Sequence, residues 1–283
     1  MSDHQPRCVT CGTPIPGQFC SHCGERRLEP GDLSFRHFFE HTLETFTHVD
    51  GKIFRTLKAL LVQPGALTAD YLLGRRKSFI APLQLFLIAN LIFFLLHPLL
   101  PSAAFTTPLR IQRLERPFSS LVRAMVDRKL AANGMTLKQY ETQFDSHAEI
   151  EAKSLVIILV PMVSLFVALL YWQRRRHFLE HLIFSLHFCA FFILWLLFVI
   201  GLSRSALALL KLEGIAPSPP TWERLLSVFA LIIWAVYLYR AAQRVYGGPT
   251  WKIALKTMAL ALMIYPILLV YRFILFLVGY SLT

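Results

Sequence analysis

Charge is scarce in this chain. Asp, Glu, Lys and Arg together make up 16% of 283 residues, against about 25% in soluble domains. That shortage argues against a molecule built around one large water-soluble core. Acidic residues are the rarer sign, 17 against 29 Lys and Arg, for a formal net charge of +12. Several motifs are missing as well. There is no P-loop, no Gly-rich dinucleotide fingerprint and no G-x-S-x-G elbow, so none of these signals nucleotide binding or serine hydrolysis. No tandem repeat or low-complexity tract is evident. The first 30 residues are polar and lack the apolar core of a secretory signal. The first long apolar run is therefore expected to act as the insertion signal.

Apolar residues are abundant: 55% of the chain, with 23 Phe. They gather in five runs, 79–100, 155–172, 182–202, 222–240 and 257–280. A helix needs about 20 apolar residues to cross about 30 Å of hydrocarbon. The first, third and fifth runs meet this easily, while the second and fourth are shorter. The reading is an all-α membrane protein with five transmembrane helices. Its expected parts are a zinc ribbon at 1–27, juxtamembrane amphipathic helices at 28–78 and a membrane domain at 79–283 with an external loop at 101–154.

The positive charge is mostly topology. "GRRK" (74–77), "QRRRH" (173–177) and the group Arg240, Arg244, Lys252 and Lys256 all fall on one side if the N-terminus is cytoplasmic, as the positive-inside rule expects. The mixed-sign loop 101–154, the loop 203–221 and Thr283 then lie outside. The expected location is a bacterial inner membrane, with the basic clusters touching anionic lipid heads. No basic domain stands clear of the membrane, so nucleic acid is not an expected partner.

"CVTCGTPIPGQFCSHCG" (8–24) is the strongest chemical signal. Zinc takes four soft ligands in a tetrahedron at about 2.3 Å from sulfur. A two-residue gap lets both thiolates of Cys8/Cys11 and of Cys20/Cys23 point inward from one tight turn. Gly12 and Gly24 permit positive φ after each pair. Disulfides and redox Cys-x-x-Cys motifs are the competing readings. The cytoplasmic side argues against the first, and doubling within residues 8–23 argues against the second. A segment this polar hardly folds without metal. Cys8, Cys11, Cys20 and Cys23 are thus expected to hold one closed, structural Zn2+. Cys189, inside the third run, reads as a packing residue.

Between 28 and 78, Phe35, Phe38, Phe39, Leu43 and Phe46 recur at helical spacing, as do Phe54, Leu57, Leu60 and Leu61. Such stripes suit helices in the headgroup layer or packed against the ends of the spans. Pro64-Gly65 and Gly74 are expected stops.

"CVTCG…FCSHCG", "TLKALLVQPGALTADYLLGRRKSFIAPLQLFL" and "EHLIFSLHF" together resemble a family of uncharacterised bacterial multi-pass membrane proteins with an N-terminal zinc-ribbon motif, catalogued as a domain of unknown function. The resemblance covers the first 100 residues and the third run. It implies the architecture and the zinc ligands, and brings no activity.

Two stretches echo each other, "HFFEH" (37–41) and "HFLEH" (177–181). His37 and His41 share a helix face, extended by Glu44 and His48. His177 and His181 do likewise, and Glu180 and His187 are seven apart. H-x-x-E-H is a metalloprotease pattern, and histidines at helix ends also occur in membrane di-iron lipid enzymes. The competing reading is an interfacial polar face. His187 lies within an apolar run and needs a partner, for which His37, His41 and His48 are candidates. Two function classes follow. One is a scaffold, sensor or adaptor docking a cytoplasmic protein through the zinc ribbon. The other is a metal-dependent enzyme or carrier acting on lipid, with Glu180, His181 and His187 as catalytic candidates. Asn90, His97 and Arg272 are other polar residues within the runs, and Pro161 and Pro266 suggest kinks.

Overall fold

A computed structural model describes residues 6–27, 34–35, 38, 51–96, 99, 107–174, 176–212 and 219–283. Among them the structure is helical and no strand forms. Apolar runs that close their backbone bonds within each segment suit hydrocarbon, where no water satisfies a free N–H. Three helices are long and apolar enough to cross a membrane: α8 (Phe178–Leu212), α9 (Pro219–Tyr246) and α10 (Thr250–Leu282). The two shorter apolar helices are α3 (Pro82–Leu96) and α7 (Leu159–Leu170), about 22 and 18 Å long at 1.5 Å per residue.

α8 is the axis of the bundle. Its apolar window is 67% buried, against 28% for α9 and 33% for α10. Leu179, Ile183, Phe184, Leu186, Phe188 and Ile193 are all buried, so α8 is covered on every side between Ile183 and Ile193, as an all-round apolar stretch requires. α3 and α7 both pack along it, and α9 and α10 pack on each other. Pro266 sits inside α10. Pro161 lies near the start of α7, just after a 3-10 turn at Val156–Ile158.

The described part of the expected external loop, from residue 107, is helical, as the pattern around 117–150 implies. It comprises α4 (Leu109–Leu114), α5 (Ser119–Asn133) and α6 (Leu137–Leu155). Thr136 and Gln139 form a capping box that starts α6. Val122, Val126, Tyr140 and Phe144 bury themselves against Phe276 of α10. Lys129 donates to the Tyr280 carbonyl in the last turn of α10, where a cation is favoured. The Thr283 hydroxyl donates to Tyr140 at 3.1 Å. The end of the chain and this helical cap therefore share one end of the bundle.

Arg174, Arg176 and Arg244 share the other end. Arg174 donates to the Gly247 carbonyl at 2.7 Å, Arg176 to Val245 at 2.9 Å and Arg244 to Pro64 at 3.2 Å. Two helices pack at this end, α1 (Lys52–Val62) and α2 (Ala66–Leu72). The buried Thr56 hydroxyl accepts from Ile80 N–H at 3.2 Å, tying α1 to the entry of α3. Gly65, at φ +76°, turns the chain between α1 and α2 directly against α9: a Cβ there would lie 2.7 Å from the Ala241 carbonyl oxygen. Gly74, at φ +88°, follows α2. The residues expected as a helix over 33–48 lie outside the described residues except Ser34, Phe35 and Phe38. Phe38 is 2% exposed and its ring meets Tyr71 edge-on at 6.3 Å. That residue packs on the helical body.

Candidate metal centre

Two tight turns build the amino-terminal module, and they repeat. Cys8 N–H donates to Thr13 O and Gly12 N–H to Cys8 O. Twelve residues later Cys20 N–H donates to Glu25 O and Gly24 N–H to Cys20 O. The isolated bridges Arg7↔Pro14 and Phe19↔Arg26 obey the same offset. The internal repeat escapes a sequence reading because only its Cys-x-x-Cys-Gly positions are identical. Gly12 (φ +76°) and Gly24 (φ +70°) supply the left-handed residue each turn needs.

Folding the two turns face to face brings the four sulfurs within 4.8 Å of one another. The closest pairs cross between turns, Cys8–Cys23 and Cys11–Cys20, each at 3.5 Å. A disulfide would need about 2.05 Å. A tetrahedral Zn–S4 centre with bonds of about 2.3 Å has S···S edges of about 3.8 Å, so the donor set fits a metal and all four thiols are free. The Thr13 hydroxyl and backbone face the Cys11 sulfur and pull its thiol down to about 5. Cys23 stands at about 12: the Glu25 backbone lowers it, outweighed by burial and the neighbouring sulfurs. A cation among these sulfurs displaces such protons.

The module is tied to the helical body by Glu25 from its own side and by Arg75 and Lys77 from the turn after α2. Glu25 is 2% exposed. Its Oε1 accepts from the backbone N–H of Arg76 at 3.1 Å and of Lys77 at 3.0 Å, and its Oε2 from the Thr10 hydroxyl at 2.9 Å. Arg75 Nε donates to the Val9 carbonyl at 2.9 Å, and Lys77 Nζ to the Cys23 carbonyl. The turn after α2 thus grips both cysteine turns. A lone glutamate after the second Cys-x-x-Cys-Gly carries no sequence signal for this role.

The histidines are engaged elsewhere. His187 Nδ1 pairs with the Thr68 hydroxyl of α2 at 2.9 Å, both residues being buried. His181 Nδ1 pairs with the Tyr246 hydroxyl at 2.9 Å. Its ring stacks on Tyr246, which stacks in turn on Tyr171. Glu180 accepts from His177 N–H at 3.2 Å and from Arg176 at 2.7 Å, where a carboxylate favours a helix start. Among the described residues the four cysteines are the set able to hold a metal ion; Glu180, His181 and His187 do not join in one. The first echo, His37, Glu40, His41, Glu44 and His48, lies outside the described residues. Among the described residues the partners of His181 and His187 are Tyr246 and Thr68, while the candidates His37, His41 and His48 lie outside them.

Comparison with known proteins bears on the segment that makes these contacts. Residues 50–94 match the family model described as a protein of unknown function, DUF3667. No curated protein and no solved structure matches the chain. The DUF3667 stretch runs from α1 through α2 to most of α3. It carries Gly65 at the α9 contact, Thr68 on His187, and the Arg75–Lys77 turn that receives Glu25. One segment therefore connects the cysteine module to the central helix.

Proposed function

We propose that this chain is an integral membrane scaffold or sensor of a bacterial inner membrane, in which a zinc-loaded cysteine module docks a cytoplasmic protein. The observation that carries this reading is the buried Glu25 clamp. A module held only as a tether would not bury a carboxylate on the backbone of the membrane body. Here its state is coupled to the 75–77 turn, to α2 and, through Thr68, to α8. Four thiolates without an open position suit structural zinc, and a reducing cytoplasm keeps them free of disulfides. The docking surface is the module's outer rim, where Phe19 is 60% and Val9 45% exposed. The alternative, a metal-dependent enzyme or carrier acting on lipid, lacks a ligand set at Glu180, His181 and His187 among the described residues.

A photo-cross-linking residue at Phe19 tests the docking reading in native membranes. A discrete protein adduct that disappears on Cys11→Ser is the expected result. No adduct, or one indifferent to Cys11→Ser, removes it.

In the same reading α3 and α7 cross the membrane with the three long helices, giving five spans, a cytoplasmic N-terminus and an external C-terminus. Support comes from the separation of the basic end from the capped end. Reporter fusions after Gly74, at Arg175 and at Gly247 should read cytoplasmic. Fusions at Asn133, Pro217 and Thr283 should read external. A cytoplasmic Thr283 reporter would show that a short helix does not cross.

A further inference from the structure

A groove opens between α1, α8 and α9, with a volume of about 520 Å³, within the range of about 300–1,000 Å³ typical of ligand sites. α8 lines it with a stripe from Phe191 to Phe198 and α9 with a stripe from Ile233 to Arg240; Leu57 and Leu61 of α1 close one side. Each stripe spans eight residues, about 10 Å of helix rise from first to last. The rings of Phe191 and Tyr237 stack at 3.5 Å and set the two helices level. From that level Phe198 and Ile233 lie deeper in the bundle, and Arg240 lies about one turn toward the basic end. The groove is therefore apolar along its depth and cationic at its mouth, beside the helix that packs at that end.

Arg240 is exposed, and its guanidinium makes no hydrogen bond or ion pair among the described residues. Its neighbours at this end are used internally. Arg244, one turn on, donates to the Gln63 and Pro64 carbonyls, and Arg174 and Arg176 hold Gly247 and Val245. A slot with an apolar floor and, among the described residues, an unpaired Arg240 at its mouth is complementary to an amphiphile with a negative head. We propose that this groove binds an acyl chain of one anionic phospholipid, with the headgroup phosphate on Arg240. The proposal rests on the membrane placement given above, which the reporter fusions test separately. A zwitterionic head carries its own ammonium beside the phosphate and gains less from the guanidinium.

The test uses the full chain in detergent, with Trp172, Trp222, Trp234 and Trp251 replaced by Phe so that Trp195 in the groove reports alone. Brominated-chain phosphatidylglycerol should quench it saturably at about one lipid per chain, while brominated phosphatidylcholine should need about tenfold more, equivalent to about 1.4 kcal/mol. Arg240→Gln should erase the preference and Arg240→Lys should retain most of it. If the Phe-substituted chain does not fold, native mass spectrometry of the wild-type chain and Arg240→Gln, counting retained phosphatidylglycerol against phosphatidylcholine, reads the same preference. Equal binding of the two lipids, or a preference unchanged by Arg240→Gln, overturns the proposal. So does an absence of saturable binding, the outcome if a second copy or the chain's own amino-terminal segment fills the groove.

Discussion

Glu25→Ala is expected to release residues 6–27 from the membrane body while the helices stay folded. The carboxylate is buried and receives two backbone N–H groups, of Arg76 and Lys77, together with the Thr10 hydroxyl. Truncation leaves those donors facing an apolar void. Each buried group left unpaired costs about 1–3 kcal/mol. A combined loss of about 3 kcal/mol shifts the docked-to-released ratio by about 100-fold. The four sulfurs are untouched, so metal content should not change. Limited trypsin digestion reads the result, since Arg7, Arg26 and Arg27 lie within the module. Cleavage there should accelerate at least about tenfold, with the thermal midpoint of the membrane body unchanged. Glu25→Gln should fall between, because one amide oxygen still accepts while the amide nitrogen opposes the remaining donors. Equal cleavage in wild type and Glu25→Ala would mean that the contacts of Arg75 and Lys77 hold the module unaided.

Gly65→Ala should be the more damaging change to the body itself. Two costs combine. A left-handed φ of +76° costs a non-glycine residue about 1–2 kcal/mol. The added Cβ would also stand 2.7 Å from the Ala241 oxygen and 2.8 Å from its Cα. These are backbone atoms of α9 and do not swing aside, so α1 and α2 must shift away from it, at a further cost of about 1–3 kcal/mol. Gly134→Ala separates the two effects: its φ is +63°, but nothing lies within 4 Å of its Cβ position. Thermal unfolding in detergent should show a loss about twice as large for Gly65→Ala as for Gly134→Ala. Equal losses would mean that the α9 contact opens freely.

The parts of this structure that were legible in the sequence are those whose signal is local. Length and apolar content mark the runs that become α8 and α10, but they misjudge two others: the first run, expected to span easily, forms the 15-residue α3, and the fourth, read as short, lies within the 28-residue α9. Cys-x-x-Cys-Gly spacing encodes a turn, and two such turns bring four sulfurs together. The limits of α7 are harder to see, because α6 runs into it through the 3-10 turn at Val156–Ile158 with no intervening loop. The pairings that link the parts were not legible. Glu25 meets a turn 51 residues away, His187 meets Thr68 across 119 and His181 meets Tyr246 across 65. Periodicity tells which face of a helix is buried and says nothing about which element lies opposite. The need of His187 for a partner followed from burial cost, while the partner's identity depended on where α2 packs on α8. The echo of His-x-x-Glu-His is likewise a poor guide: in the second copy Glu180 starts a helix and His181 stands in an aromatic stack.

Elemental analysis of the purified full chain tests the central claim most directly. One zinc per chain is expected, lost in Cys11→Ser and retained in His181→Ala and His187→Ala. Wild-type protein without zinc, or with a second metal lost on substituting those histidines, would contradict the account.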